Sequence, residues 1–93
     1  MREITIEQKL MDAVRQRGGL CMKFVSPGLV GVPDRILLMP KGRMGFVEVK
    51  SPGKKLRKIQ AMRQAQLLEL GFHAYLLDNV EDIRSLLDAI QGS

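Results

Sequence analysis

The sequence predicts a protein of the α/β class, with a mixed α+β sheet covered by helices in the order α-β-β-β-α-β-α. Three observations carry this. Apolar residues recur at helical spacing near both ends of the chain, and two short apolar stretches flank a turn at residues 40 to 43. A basic, helix-like segment then separates that hairpin from one more apolar strand. Helices laid on a mixed sheet are the packing that buries such elements.

The elements follow in order. Thr5-Ile6-Glu7-Gln8 has the pattern of a capping box, with Thr5 as N-cap and Gln8 reaching back. Ile6, Leu10, Met11, Ala13 and Val14 continue at helical spacing until Gly18-Gly19 ends the helix. Leu20 to Val25 is expected to be a strand, and the prolines and glycines from Ser26 to Pro33 make a loop. Ile36 to Met39 and Phe46 to Lys50 form the two arms of a hairpin. After Ser51-Pro52-Gly53, a basic helix runs from about Lys55 to Leu70, with Ile59, Met62 and Leu70 as its apolar stripe, and Gly71 stops it. His73 to Leu77 is a last strand. Asp78-Asn79 then caps a final helix whose Val80, Ile83, Leu87 and Ile90 share a face.

Ninety-three residues make one domain, residues 1–93, with a modest core. Cys21 is the only cysteine, so no disulfide supports the fold, and a reducing, cytoplasmic setting is expected. A lone thiol and a lone His73 in an apolar run read as packing residues, and the six methionines as core filler. No apolar run has membrane-spanning length, and no signal peptide is visible. The formal net charge of +5 is concentrated: residues 41 to 63 carry eight basic residues against Glu48, a window of +7, which leaves −2 for the rest. A phosphate backbone would be attracted to such a stripe, although a solvated face has the same composition.

The chemistry starts with Val47-Glu48-Val49-Lys50. Side chains alternate along a strand, so Glu48 and Lys50 share one face and the valines the other. Alone, an acid and an amine so spaced are no more than a solvated strand face. Asp34 changes that reading. It follows Gly31-Val32-Pro33 at the start of the preceding strand, and the hairpin brings it opposite Glu48 or Val49. Two converging carboxylates repel unless a cation lies between them, and Mg²⁺ or Mn²⁺ suits such hard oxygen donors. Lys50 would flank the site and serve a metal-bound water or the phosphate. Glu7 lies on the apolar stripe of the first helix, where a carboxylate is costly unless it is paired, metal-bound or reaches water at the edge. Gln60 borders the apolar stripe of the basic helix and could turn inward, though a glutamine there is usually surface.

Gly31-Val32-Pro33-Asp34, Glu48-Val49-Lys50 and a glutamine ten residues past the lysine resemble the VRR-Nuc domain of the PD-(D/E)xK nuclease superfamily. The resemblance runs through nearly the whole chain. The order of elements also looks like that superfamily's αβββαβ restriction-endonuclease-like core, and Glu7 stands at the family's early helical glutamate. Arg63 and Gln64 depart from the aromatic that typically follows the glutamine. The resemblance implies Mg²⁺- or Mn²⁺-dependent phosphodiester cleavage, often of branched or structured DNA such as Holliday junctions or flaps. It also implies a minimal, stand-alone viral or bacterial enzyme.

Carried onto this chain, the reading places the metal on Asp34, Glu48 and the Val49 carbonyl, with Glu7 helping directly or through water. Lys50 positions the nucleophile and Gln60 supports it. Lys54, Lys55, Arg57 and Lys58 bind flanking phosphates without regard to sequence. Two strands need two sites, so a homodimer is expected, with Ile83, Leu86, Leu87 and Ile90 as candidates for its contact. The alternative is a nucleic-acid-binding module that keeps the basic segment but does not cleave.

Overall fold

The computed structural model describes residues 1–92. Its elements are α1 (Glu3–Gln16), β1 (Leu20–Lys23), β2 (Arg35–Met39), β3 (Arg43–Val49), α2 (Lys58–Glu69), β4 (His73–Leu77) and α3 (Ile83–Gly92), with short 3₁₀ turns at Pro40–Gly42 and Val80–Asp82. The four strands lie in the order β1-β2-β3-β4. β1, β2 and β3 pair antiparallel, and β4 adds parallel to β3. A parallel neighbour requires a crossover, and α2 supplies it.

Alternation along the strands gives the sheet two unlike faces. Leu37, Met39, Val47, Val49 and Leu77 point to one side, where they form a single core with Ile6, Leu10 and Val14 of α1 and Ile83, Leu86, Leu87 and Ile90 of α3. Each such aliphatic side chain, fully buried, contributes about 1.5–3 kcal/mol, so this face carries most of the stability. Gly45 marks the closest approach. A Cβ there would stand 2.6 Å from Ile90 Cδ1, so α3 seats on β3 only because the side chain is missing. The opposite face is thinly covered. There α2 packs against β4, Phe46 lies between Phe24, tilted against it, and Phe72, edge-on to it, at centroid distances of 5.8 and 5.9 Å, and Leu20, Met22 and Leu38 remain exposed.

Several expectations need correction. α1 begins at Glu3 with Arg2 as N-cap, two residues before Thr5, so Thr5 and Gln8 do not form a capping box. β1 stops at Lys23 and β3 begins at Arg43. α2 starts at Lys58, which leaves Lys54, Lys55 and Arg57 in the preceding loop. Its inward residues are Gln60 and Arg63, whereas Met62 and Leu70 are exposed. Asn79 accepts a hydrogen bond from the Glu81 N–H and caps the short turn before α3, while Asp78 accepts instead from the Gly53 N–H. The α3 face proposed for a dimer contact is buried against its own sheet.

Candidate active site

The hairpin register decides which side chains meet. Arg35 pairs with Val47 across β2 and β3, and one further step of the same register sets Asp34 across from Glu48. The side chains then exchange hydrogen bonds with the opposite backbone. The Asp34 N–H donates to Glu48 Oε1 at 3.2 Å, and the Val49 N–H donates to Asp34 Oδ1 at 3.2 Å. Gly31 sets the approach. With φ +81° it takes a conformation that favours glycine, and a Cβ there would stand 2.7 Å from the Ile59 carbonyl oxygen of α2.

Glu48 is almost buried and collects two further partners through its Oε2. Gln60 donates to it from Nε2 at 3.2 Å, and Lys50 Nζ lies 3.6 Å away. Gln60 is itself held at its other end, where Oε1 accepts from the Arg57 N–H at 2.9 Å. It therefore links the N-terminus of α2 to the carboxylate, a use no apolar side chain could serve. Asp34, Glu48, Lys50 and Gln60 form one connected cluster.

Glu7 stands apart from this cluster. Its carboxylate makes a 2.8 Å ion pair with Arg35, and both side chains are largely buried. By alternation Arg35 follows Leu37 onto the core face, so a guanidinium sits where an apolar residue is expected. Burying either charge alone is costly, and the pair offsets that cost. A charged residue in phase with Leu37 was the sequence signal for Arg35. Arg63 gave no comparable signal. Its Nε donates to the Val30 carbonyl at 3.1 Å and its Nη1 to Gln66 Oε1 at 2.7 Å, which removes it from the surface stripe. Lys54, Lys55, Arg57 and Lys58 are exposed around the N-terminus of α2.

The electrostatics single out one group. Burial first, and the facing Glu48 charge second, push the Asp34 carboxyl up to about 6, while the Val49 N–H and Arg35 oppose the shift. Negative charge at this position is thus under-compensated. Two carboxylates beside the Val49 backbone are hard oxygen donors of the kind Mg²⁺ and Mn²⁺ take, and a cation there would offset the repulsion. Among the described residues no three or more His, Cys, Asp or Glu are gathered in a group that could hold a metal ion, and Glu7 faces Arg35 instead. The Cys21 thiol, raised chiefly by burial, packs beside the core and joins no cluster of this kind. A groove between α1 and α3, lined by Lys9, Asp12, Arg17 and Arg84, lies away from the carboxylates.

The raised Asp34 carboxyl has a stability consequence. Its pKa is higher folded than unfolded, so its contribution is full below 3.8 and is lost as pH rises through about 6. In metal-free buffer, Asp34→Asn is expected to melt above the parent chain at pH 7 to 8. That gap should close as pH falls through about 6 toward 3.8. Melting curves across this range check it, and a variant that gains nothing at pH 8 would contradict the assigned repulsion.

No family model matches the sequence. A protein described as "Putative nuclease p44", from Acyrthosiphon pisum secondary endosymbiont phage 1, is 44% identical over 90 residues, spanning 97% of this chain and 96% of the relative. A solved structure described as "VRR_NUC domain" superposes with a TM-score of 0.86 at 23% identity, covering 92% of this chain and 94% of its own; at that identity it bears on the fold alone. The paired carboxylates thus occupy the hairpin of a fold shared with a VRR-Nuc domain, and the chain belongs to the family of the phage protein described as "Putative nuclease p44", to which it is similar along nearly its full length.

Proposed function

We propose that this nuclease is a divalent-metal-dependent DNA endonuclease that hydrolyses phosphodiester bonds and prefers branched or structured DNA. The observation that carries the reading is the clasp between Asp34 and Glu48, with Lys50 beside it. Asp34, Glu48 and the Val49 carbonyl would hold Mg²⁺ or Mn²⁺. When bound, the ion supplies Lewis acidity, easing deprotonation of water and offsetting charge on the phosphate.

The rest belongs to the chain's own residues. Lys50 orients the attacking water and stabilises the negative charge that develops on the phosphoryl and leaving-group oxygens as the new P–O bond forms and the old one breaks. Gln60 fixes Glu48 so that its free lone pairs face the site. Glu7, paired with Arg35, would help hold the ion directly or through a water. Lys54, Lys55, Arg57 and Lys58 receive the flanking phosphates, a contact that positions the duplex without reading its sequence.

A dimer belongs to the same reading. One chain carries one carboxylate pair, and cutting two strands symmetrically calls for two sites about a twofold axis. With the α3 face committed to the core, one apolar surface on offer is the outer face of β1 and β2, where Leu20, Met22 and Leu38 are exposed. Among the described residues, no helix is long and apolar enough to cross a membrane.

Four measurements test the reading. Cleavage of a plasmid and of a four-way junction should require Mg²⁺ or Mn²⁺ and vanish in folded Asp34→Ala or Glu48→Ala. Lys50→Ala should lose roughly two orders of magnitude or more in rate and keep its metal affinity by calorimetry. Full activity in Asp34→Ala, or metal binding abolished with turnover intact in Lys50→Ala, would overturn the assigned roles. Lys54→Glu with Lys55→Glu should weaken DNA binding and lower the slope of log affinity against log salt by about one unit for each phosphate no longer engaged; an unchanged slope moves the DNA elsewhere. Sedimentation equilibrium at micromolar concentration should give the mass of two chains, and a single-chain mass with and without DNA would exclude the dimer.

A further inference from the structure

The segment from 24 to 34, which joins β1 to β2, ends at Asp34 and on its way turns apolar side chains to water. Val25 is 70% exposed, Leu29 44% and Val30 68%. Single exposed aliphatics need no explanation, but these stand on a segment fastened at several points. The Phe24 N–H donates to the Asp34 carbonyl at 2.8 Å and closes the base, and the Leu29 N–H donates to the Ser26 carbonyl at 3.3 Å. The buried Arg63 grips the Val30 carbonyl, and Gly31 lies flush on Ile59 of α2. The backbone at Leu29 and Val30 is thus pinned to α2 while both side chains are displayed to solvent. Holding Asp34 in place accounts for the pinning. It does not account for aliphatic residues at the tip, where any polar side chain would be better solvated.

We propose that Leu29 and Val30 form an apolar wedge that enters nucleic acid at an opened base step beside the bond to be cut. The partner follows from position. The wedge lies four to five residues before Asp34, and its backbone rests on α2, which begins at Lys58 directly after the loop that carries Lys54, Lys55 and Arg57. A strand whose phosphates lie along that basic segment and whose scissile bond reaches Asp34 and Glu48 carries its bases past the loop. Apolar side chains inserted between bases unstack and kink a duplex. The cost is least where stacking is already broken, as at a branch, nick or mismatch. This inference rests on the phosphodiesterase reading above and gives its preference for distorted DNA a physical origin.

The test uses the full chain and DNA carrying 2-aminopurine, placed either next to the branch of a flap or within continuous duplex, with EDTA present so that nothing is cut. The parent chain should raise the fluorescence at the branch. Leu29→Ser with Val30→Ser should abolish that rise and bind the flap about tenfold more weakly, the effect of withdrawing one or two aliphatic side chains from a contact. Its melting temperature and its affinity for continuous duplex should be unchanged. Should the double variant fail to fold, Val30→Lys alone, at a site open to water, serves in its place. An unchanged fluorescence rise and flap affinity would overturn the wedge. So would a loss of the dimer in the variant, which would make the loop a contact between copies of this chain. Cleavage of the same DNAs with Mn²⁺ separates the two readings. A fluorescence rise without cleavage of any substrate sinks the nuclease reading alone, and cleavage without the rise sinks the wedge alone.

Discussion

Two hydrogen bonds that cross the β2–β3 register in opposite directions, from the Asp34 N–H to Glu48 and from the Val49 N–H to Asp34, are what the site depends on. Each carboxylate is held by the backbone of the strand that carries the other. Neither can move without the hairpin moving, and the hairpin is fixed by five residue pairs from Arg35–Val47 to Met39–Arg43. A slip of one residue would turn Glu48 and Lys50 to the core side and place Val47 or Val49 at the site. The apolar core forbids the slip, because Leu37, Met39, Val47 and Val49 must stay in phase to meet α1 and α3. Core packing on one face therefore sets the placement of carboxylates on the other.

This division of labour explains how so small a chain tolerates an unfavourable site. Asp34 is held half-buried and facing Glu48; burial first, and the Glu48 charge second, raise its pKa to about 6. Strain at functional positions persists only where the surroundings over-determine it. Here the surroundings are the continuous core from Ile6 through Ile90, which does not include the site. The outer face, by contrast, is secured by polar devices: Gln60 on Glu48, Arg63 on the Val30 carbonyl, and Gln64 on the Ala74 carbonyl.

The same division decides what could be read from the sequence. The order of elements and the meeting of Asp34 with Glu48 were legible, because a period of two and a short turn fix a hairpin to within a residue. β4 was legible to its ends, since Gly71 and Asp78 bracket the six residues from Phe72 to Leu77, the last five of which form the strand. Burial along α2 was not legible. Hydropathy ranks Met62 and Leu70 as inward and Gln60 and Arg63 as outward, yet the helix turns the reverse way. Its inner partners are a carboxylate and a carbonyl, which only polar side chains can satisfy. Thr5 misled for a different reason. Its spacing to Gln8 fits a cap, but the helix had already begun at Glu3. The wide apolar face of α3 looked more than one core requires. It is fully used because Gly45 lets the helix lie directly on β3.

Glu7 and Arg35 show what burial alone can decide. Each is a charge on a face that should be apolar, and each alone would be costly. Taken singly, Glu7 called for a partner, and a metal was one answer. Arg35 is another, supplied by the residue next to Asp34 itself, at 2.8 Å. The ion pair ties α1 to the start of β2, so the helix that anchors the core also braces the strand that begins with the site carboxylate. The Glu7 charge still helps to raise the Asp34 pKa, and the guanidinium between α1 and β2 offsets only part of that effect.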